Sequence, residues 1–316
     1  MLPFAFFREA TLTSGQGAKT AGPDGALHGS SGARARAPIH AEPAASGAFF
    51  RDPRQLVKAL VYGLLLVNFV QYILIDIDVA RHTMHSGWKW HDWTAAFATT
   101  LDETAWFVLL ILLELETYVL SDEAFTPVRI WLMQIVRLVC ILFIGHAVLA
   151  FGKDLVELSR SCDLTVVDPC ELAGQGLSFA RNLAYVEIEA DTCASIEAAP
   201  PLVLFDQKQL VTDRRGIRIE WELAWADFIE VVVWLAILAL IEIRVRLQDR
   251  GITAGSAFRL ARVLTPTLYG VLWLIAAYWA FRGHWVYSWD EALWILGFMA
   301  IGANLSQWRK EIEAGT

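Results

Sequence analysis

Long apolar runs alternate with polar connections along most of this 316-residue chain. A membrane-crossing helix needs about 20 apolar residues, because a hydrocarbon layer of about 30 Å is crossed at about 1.5 Å per residue. Runs near that length occur at about Leu56–Ile75, Thr104–Leu120, Ile130–Phe151, Leu223–Ile243, Val263–Phe281 and Ala292–Leu305. The pattern predicts an all-α polytopic membrane protein with about six transmembrane helices. The sixth is short, so it is expected to be a thin span or a re-entrant element.

The polar stretches divide the chain into five parts. Residues 1–50 are rich in Ala, Gly, Ser and Pro and have no apolar period, which is typical of a flexible tail. Residues 51–151 contain the first three predicted helices, and residues 222–308 contain the other three. Residues 152–221 form a polar segment between these groups, and residues 309–316 form a second tail.

Lys and Arg residues predict the orientation of the helices. They are concentrated before helix one, between helices four and five, and after helix six. Positive residues are retained on the cytoplasmic side, so both termini are expected in the cytoplasm and the polar segment outside. The inner membrane of a bacterium is the expected location. Within the external segment, alternating positions at Tyr185–Glu189 and Ile217–Trp221 predict short strands.

Three of the four cysteines, Cys162, Cys170 and Cys193, lie in the predicted external segment. An oxidising compartment would allow one disulfide among them, and Cys162 with Cys170 is the preferred pair. Free cysteines, or a bond to another chain, are the alternatives. Cys140 lies within the third predicted helix, where packing is the expected role.

Acidic residues precede a tryptophan in the second, fourth and sixth predicted helices. The spacing is DExxW in the second and sixth, and an acid stands four residues before the tryptophan in the fourth. The residues are Asp102, Glu103 and Trp106; Glu230 and Trp234; and Asp290, Glu291 and Trp294. This recurrence indicates three repeated helical hairpins, as in many transport folds. The alternative is that acids and tryptophans mark the outer membrane interface of any helix.

Ionisable residues also occur within the predicted spans, near their cytoplasmic ends. They are Glu114, Glu116, Arg137, Glu242 and Arg244. Burial of a charge in a membrane costs about 2.5 to 3.5 kcal/mol on insertion scales, so each charge needs a partner or a watery cavity. Residues two apart on a helix point in nearly opposite directions, so Glu114 and Glu116 cannot share one partner. Two interpretations are open, an ion pathway and a salt-bridged clasp between hairpins.

A histidine-rich stretch precedes the second predicted helix. His82, His85, His91 and Asp92 are weak candidates for metal ligands, because imidazole and carboxylate groups suit several metals. Proton sensing is a second interpretation of these histidines. Tryptophans are interleaved with them, and an ordinary interfacial segment has the same composition.

Composition and motifs narrow the function. A net charge of −8 without a basic patch argues against a nucleic-acid partner. Nucleophile motifs, phosphate-binding glycine loops and HExxH are not found in the sequence, so neither an enzyme nor a cofactor is expected.

The first hypothesis is ion or proton-coupled permeation through the bundle, along the buried charges. The second is a scaffold, assembly or sensing subunit that docks partners on the external segment. The lipid bilayer, a second copy or other membrane proteins are the expected partners.

Overall fold

The computed structural model describes residues 53–84, 88–116, 126–166, 168–205, 208–249 and 255–299. The two predicted tails, His85 and the end of the sixth predicted helix lie outside these residues.

Seven α-helices lie within the described residues. They are α1 (Pro53–Thr83), α2 (Trp90–Ala96), α3 (Ala98–Glu114), α4 (Pro127–Leu158), α5 (Arg214–Asp249), α6 (Ser256–Arg282) and α7 (residues 285–299). All six predicted helices begin later than the observed ones, because polar first turns fall outside an apolar window. The Thr126 side chain, for example, accepts a hydrogen bond from the Arg129 backbone N–H and so caps the first turn of α4.

Three helices are long and apolar enough to cross a membrane, at Leu56–Thr83, Pro127–Leu158 and Arg259–Arg282. A fourth qualifies if α2 and α3, which are bent by 71° at their junction, count as one span. Six spans are not supported by length and composition in the described residues. The reason is that α5 carries charged residues along much of its length, and the described part of α7 is shorter than a full span.

The helices pack into one bundle with a shared apolar core. Helices α3, α4, α5 and α6 contact one another in chain order, and α1 contacts α3. The core contains Trp106, Ile144, Ile237 and Leu272, and Cys140 is buried among them, as its predicted packing role requires. On the outside, α1, α4 and α6 expose many large apolar side chains. Such a surface is larger than a soluble monomer usually exposes, and it is typical of contact with lipid.

A five-stranded sheet sits at one end of the bundle. Its strands are β1 (Cys162–Asp163), β2 (Ser178–Arg181), β3 (Ala184–Glu187), β4 (Leu202–Phe205) and β5 (Leu210–Asp213). The strand order is β1-β4-β5-β2-β3, and every pair is antiparallel except the parallel pair β2 and β5. The sheet has its own apolar core, so this segment is a folded unit rather than a loop.

One of the two strands predicted in this segment was wrong. Residues Ile217–Trp221 are not a strand, because α5 begins at Arg214. The Asp213 carboxylate accepts a hydrogen bond of 2.6 Å from the Gly216 backbone N–H and thereby caps that helix. The predicted strand at Tyr185–Glu189, in contrast, coincides with most of β3.

The preferred disulfide was also wrong. Cys170 is bonded to Cys193 instead of Cys162. Both bonded cysteines lie on short 3₁₀ turns that pack together in the core of the sheet segment. Cys162 lies on the short edge strand β1 and is exposed, and Cys140 is a buried free thiol. Contact between the two turns, which lie far apart in the chain, therefore decided the pairing.

The tip of the hairpin between β2 and β3 docks onto the bundle. Asn182 and Leu183 have φ values of +54° and +58°, which is unusual for a leucine. The Asn182 backbone N–H donates to the Glu220 carboxylate at 2.6 Å, and its side-chain amide donates to the Arg282 carbonyl at 3.2 Å. Leu183 packs against the cluster of Leu223 and its neighbours. The sheet is thus fixed over the ends of α5 and α6.

Candidate functional site

A cavity of about 60 Å³ lies among helices α3, α5 and α7, in the half of the bundle nearest the sheet. Each helix contributes a tryptophan and the residues three, four and seven positions before it, which share one helical face. These residues are Thr99, Asp102, Glu103 and Trp106; Asp227, Glu230, Val231 and Trp234; and Tyr287, Asp290, Glu291 and Trp294. Tyr72, Phe151 and Phe298 complete the lining. We call this site the acid-tryptophan cavity.

The three tryptophans meet at the end of the cavity away from the sheet. The ring centre of Trp106 lies 5.6 Å from that of Trp234 and 5.9 Å from that of Trp294. Phe298 packs against them, with its ring centre 5.3 Å from Trp234. Each tryptophan is more than nine-tenths buried. The rings therefore form an aromatic floor between the cavity and the rest of the bundle.

Neutral groups donate the hydrogen bonds that hold the cavity's acids. The indole N–H of Trp234 donates to Glu291 at 3.1 Å, and that of Trp279 donates to Glu230 at 2.8 Å. The amide of Asn68 on α1 donates to Asp290 at 3.1 Å. This hydrogen bond joins α1 to α7. None of these donors carries a charge that would compensate a carboxylate.

The carboxyl groups of the cavity also approach one another. Glu230 lies within hydrogen-bonding contact of Glu291, and Asp290 within hydrogen-bonding contact of Glu103. Two carboxyl groups can form such a bond only when one of them carries a proton. Glu291 is 3% exposed, and its Oε1 atom has no donor among the described residues. The same is true of Oδ1 of Asp102.

The cavity concentrates negative charge on buried and half-buried side chains. Six of its fifteen lining residues are acidic, and none of the described lining residues is Lys, Arg or His. Two like charges about 4 Å apart repel by about 4 kcal/mol at an effective dielectric constant of about 20. Six ionised carboxylates therefore cannot coexist there. The arrangement is suited to taking up positive charge, either as protons or as a bound cation.

The acids predicted as an ion pathway lie at the distal end of the bundle, away from the sheet. Glu114 accepts hydrogen bonds from the Lys58 ammonium and from the Tyr62 hydroxyl. Glu116 forms a buried ion pair with Arg137, whose side chain is 3% exposed. The expectation that Glu114 and Glu116 face different partners is confirmed.

Two more members of the predicted pathway lie on α5. Glu242 is near enough to Arg137 for their charges to interact. Arg244 lies on the same helix, but its side chain is outside the described residues. The contacts of Glu114, Glu116 and Arg137 are those expected of a clasp, and their role in an ion pathway stays a prediction.

Among the described candidates for metal ligands, His82 lies on α1, whereas His91 and Asp92 lie on α2. His82 Nδ1 lies 3.1 Å from the Ser178 hydroxyl oxygen, and its ring stacks on Tyr185 of the sheet. His91 and Asp92 are neighbours on α2, where Asp92 also binds the Lys153 ammonium at 3.2 Å. No group of three or more possible ligands occurs within the described residues, which exclude His85.

Charged residues near the sheet link it to the bundle. The Lys208 ammonium donates to the Asp154 carboxylate of α4 at 2.8 Å. Burial lowers the pKa of Lys208, but the Asp154 carboxylate outweighs burial, and the pKa lies above its ordinary value. Burial and the nearby Arg282 guanidinium hold the pKa of His284 below its ordinary value. The Nε2 atom of His284 lies 3.2 Å from Asn182 Oδ1 at the hairpin tip.

The sequence pattern identified most acids of the cavity, but it did not predict that they lie close together. Asp227 was missed, although it stands seven residues before Trp234, as Thr99 and Tyr287 stand before their tryptophans. Extending the recurrence by one helical turn would have found it. Tyr72 and Phe151, which come from the surrounding helices α1 and α4, carry no comparable signal.

Comparisons with known proteins do not assign the chain. No protein family, curated protein or solved structure matches it.

Proposed function

We propose that this protein is a membrane-embedded permease that moves protons or small cations, with the acid-tryptophan cavity as its binding station. In this proposal the helical bundle lies in a membrane with six crossing segments arranged as three hairpins. Both termini face the cytoplasm of a bacterium, and the sheet segment faces outward.

One observation carries the proposal. Six carboxyl groups, two from the cavity face of each of three helices, converge on one cavity. The described donors to these acids are all neutral groups. A protein that needed these residues only for packing would do better with apolar side chains, because buried uncompensated acids are costly. Binding of a positive charge removes that cost, so the cavity favours an occupant that enters and leaves as a cation.

The distal end has a structural role in this proposal. Its Glu116 and Arg137 neutralise each other, and Glu114 is bound by Lys58 and Tyr62. Such pairs hold helices together but offer no surplus charge. Access to the cavity is supplied from the sheet side, where Asp154 and Lys208 lie above it.

The test is proton and cation flux in proteoliposomes that contain the purified full-length protein. A pH-sensitive dye inside the vesicles reports proton entry under an imposed membrane potential, and separate samples contain NaCl or KCl. The double variant Glu230→Gln/Glu291→Gln keeps the shape of both side chains and removes their charge. We expect it to reduce the flux at least about tenfold, since a charge-binding group at a pathway site normally acts in every transport event.

A matched control uses two exposed acids of the sheet segment. The variant Glu171→Gln/Glu187→Gln makes the same chemical change outside the cavity and should keep the wild-type flux. Absence of flux in wild-type vesicles, under every gradient, would contradict the permease proposal and favour the scaffold or sensing alternative. Equal flux in the cavity variant and the wild type would show that the cavity is not the binding station.

A further inference from the structure

We infer that the acid-tryptophan cavity selects an ammonium group, as carried by a small primary amine, over inorganic metal cations. This inference rests on the proposed function, because it names the cation that the binding station takes.

The first argument is the composition of the wall. Seven of the fifteen lining residues are aromatic and six are acidic. An ammonium group is attracted by carboxylates and also by aromatic faces, and tryptophan is the strongest of these partners. Sodium or magnesium ions need a shell of oxygen ligands, for which seven aromatic rings offer little.

The second argument is the arrangement of the acceptors. Glu291 lines the cavity, and its Oε1 atom is buried and has no donor among the described residues. A primary ammonium carries three N–H donors and so satisfies several acceptors at once. The neighbouring Glu230 provides a second acceptor within reach of the same group. A metal ion requires a different arrangement, and the described residues contain no set of three suitable ligands.

The third argument is size. A cavity of about 60 Å³ holds only a few water molecules, because each water needs about 10 to 15 Å³ of such space. An occupant of a few non-hydrogen atoms fits, such as methylammonium or the ammonium end of a longer amine. A quaternary ammonium is both bulkier and without N–H donors, so it is expected to bind more weakly than a primary one.

Proton coupling follows from the same geometry. Carboxyl pairs such as Glu230 with Glu291 cannot both be ionised without a cation between them. When an ammonium group enters, the pair gives up its shared proton to water, and when the ammonium leaves, the pair takes a proton back. Charge is balanced in both steps, and methylammonium binding should therefore strengthen as the pH rises.

The test is direct binding of radiolabelled methylammonium to the purified full-length protein by equilibrium dialysis. Unlabelled ammonium, butylammonium, tetramethylammonium, NaCl and MgCl₂ compete in separate samples. Displacement by ammonium but not by butylammonium would identify a site for the smallest ions, whereas stronger competition by butylammonium would identify a longer amine; both outcomes support the inference. Displacement by NaCl or MgCl₂ at the concentrations at which the amines act would overturn it.

Variants of Trp106 test whether its aromatic face contributes to methylammonium binding, apart from any effect on folding. Trp106→Leu should weaken methylammonium binding about tenfold, and Trp106→Phe should weaken it less, because phenylalanine keeps an aromatic face. The exposed Trp285 is the matched control, and Trp285→Leu should bind as the wild type does. If Trp106→Leu fails to fold, as judged by gel filtration, the decision falls to Trp106→Phe and to Glu291→Gln, which should lose binding at least about tenfold.

The outcomes also separate this inference from the proposed function. Proton flux that depends on Glu230 and Glu291, without saturable binding of any amine, would overturn the inference and leave the permease proposal intact. Saturable amine binding in a protein that shows no flux under any gradient would contradict the permease proposal and support the ammonium site.

Discussion

Acidic residues occur in both halves of the helical bundle, and the two groups are held in opposite ways. At the distal end, Glu114 and Glu116 each have a cationic partner, Lys58 and Arg137. In the acid-tryptophan cavity, indole and amide groups donate to acids such as Glu230 and Asp290. The two sites lie roughly 20 Å apart along α1, if measured from Lys58 to Tyr72 at about 1.5 Å per residue.

The difference shows that the pairing of an acid, more than its depth in a helix, indicates its role. A neutralised pair such as Glu116 with Arg137 contributes a fixed contact between helices. A buried acid without such a partner is stabilised when a proton or a cation binds to it. This comparison can be tested by removing one charge at a time, because the two regions should respond with opposite signs.

The largest effect is expected when Arg137 is removed. Arg137→Leu leaves the Glu116 carboxylate buried without its guanidinium, which should lower the free energy of unfolding by about 3 to 5 kcal/mol. Chemical or thermal unfolding in detergent micelles measures the change. The double variant Arg137→Leu/Glu116→Leu should recover most of the loss, since apolar pairs often replace buried ion pairs without penalty. Wild-type stability in Arg137→Leu would show that the distal pair is not a clasp.

Asp213 of the sheet segment is an acid outside the bundle that, like the distal acids, has a cationic partner, Arg181. Burial raises the pKa of Asp213, but hydrogen bonds from the Gly216 and Ala199 backbone N–H groups and the Arg181 guanidinium outweigh burial, and the pKa lies below its ordinary value. Asp213→Asn should destabilise the segment by about 1 to 3 kcal/mol at neutral pH.

The pH dependence of that loss has a definite sign. A lowered pKa in the folded state means that the stabilising contribution is present above the unfolded-state pKa of about 3.9 and disappears as the pH falls through the folded-state value. The difference between wild type and Asp213→Asn should therefore shrink in acid. Limited proteolysis of the sheet segment at several pH values measures it, with Glu187→Gln as the control. A difference that stays constant down to strongly acidic pH would contradict the assignment.

A smaller effect, of the opposite sign, is expected in the cavity. Glu291→Gln removes one of several mutually repelling acids and places an amide donor beside Glu230. The unfolding free energy should stay unchanged or rise by about 1 kcal/mol, because relief of repulsion offsets the altered hydrogen bonds. Glu116→Gln is the distal counterpart and should be destabilising. A loss in Glu291→Gln as large as that in Glu116→Gln would remove the distinction between the two regions.

The smallest effect is expected at the partly exposed pair of the distal end. The side chains of Lys58 and Glu114 are 30% and 24% exposed, so solvent screens their interaction. Lys58→Met should lower the unfolding free energy by about 1 kcal/mol or less. High salt should reduce the difference further. A larger loss, unaffected by salt, would place this pair among the buried contacts with Arg137.

Periodic features of the sequence predicted much of the fold. Long apolar runs predicted the helices, and the recurrence of acid and tryptophan predicted which residues of α3, α5 and α7 are equivalent. Those residues, Trp106, Trp234 and Trp294 among them, do line one cavity. The pattern could not show that the three helix faces converge, because convergence depends on packing between segments far apart in the chain.

Other parts of the structure depended on contacts that no local pattern records. The alternation at Ile217–Trp221 resembles a strand, but the Asp213 cap and continuation into α5 override it. The disulfide joins Cys170 to Cys193 because two short turns meet in the core of the sheet segment. The sequence predicted that Glu114 needs a partner. It could not identify Lys58 and Tyr62, because they come from another helix.

The central claim is that the cavity acids, and not the distal ones, bind the transported charge. The most direct measurement compares two variants in the same proteoliposome flux assay, Glu230→Gln/Glu291→Gln in the cavity and Glu114→Gln at the distal end, with equal amounts of folded protein. We expect the cavity variant to lose at least about nine-tenths of the wild-type flux and Glu114→Gln to keep most of it. Loss of flux in Glu114→Gln with retention in the cavity variant would contradict the account.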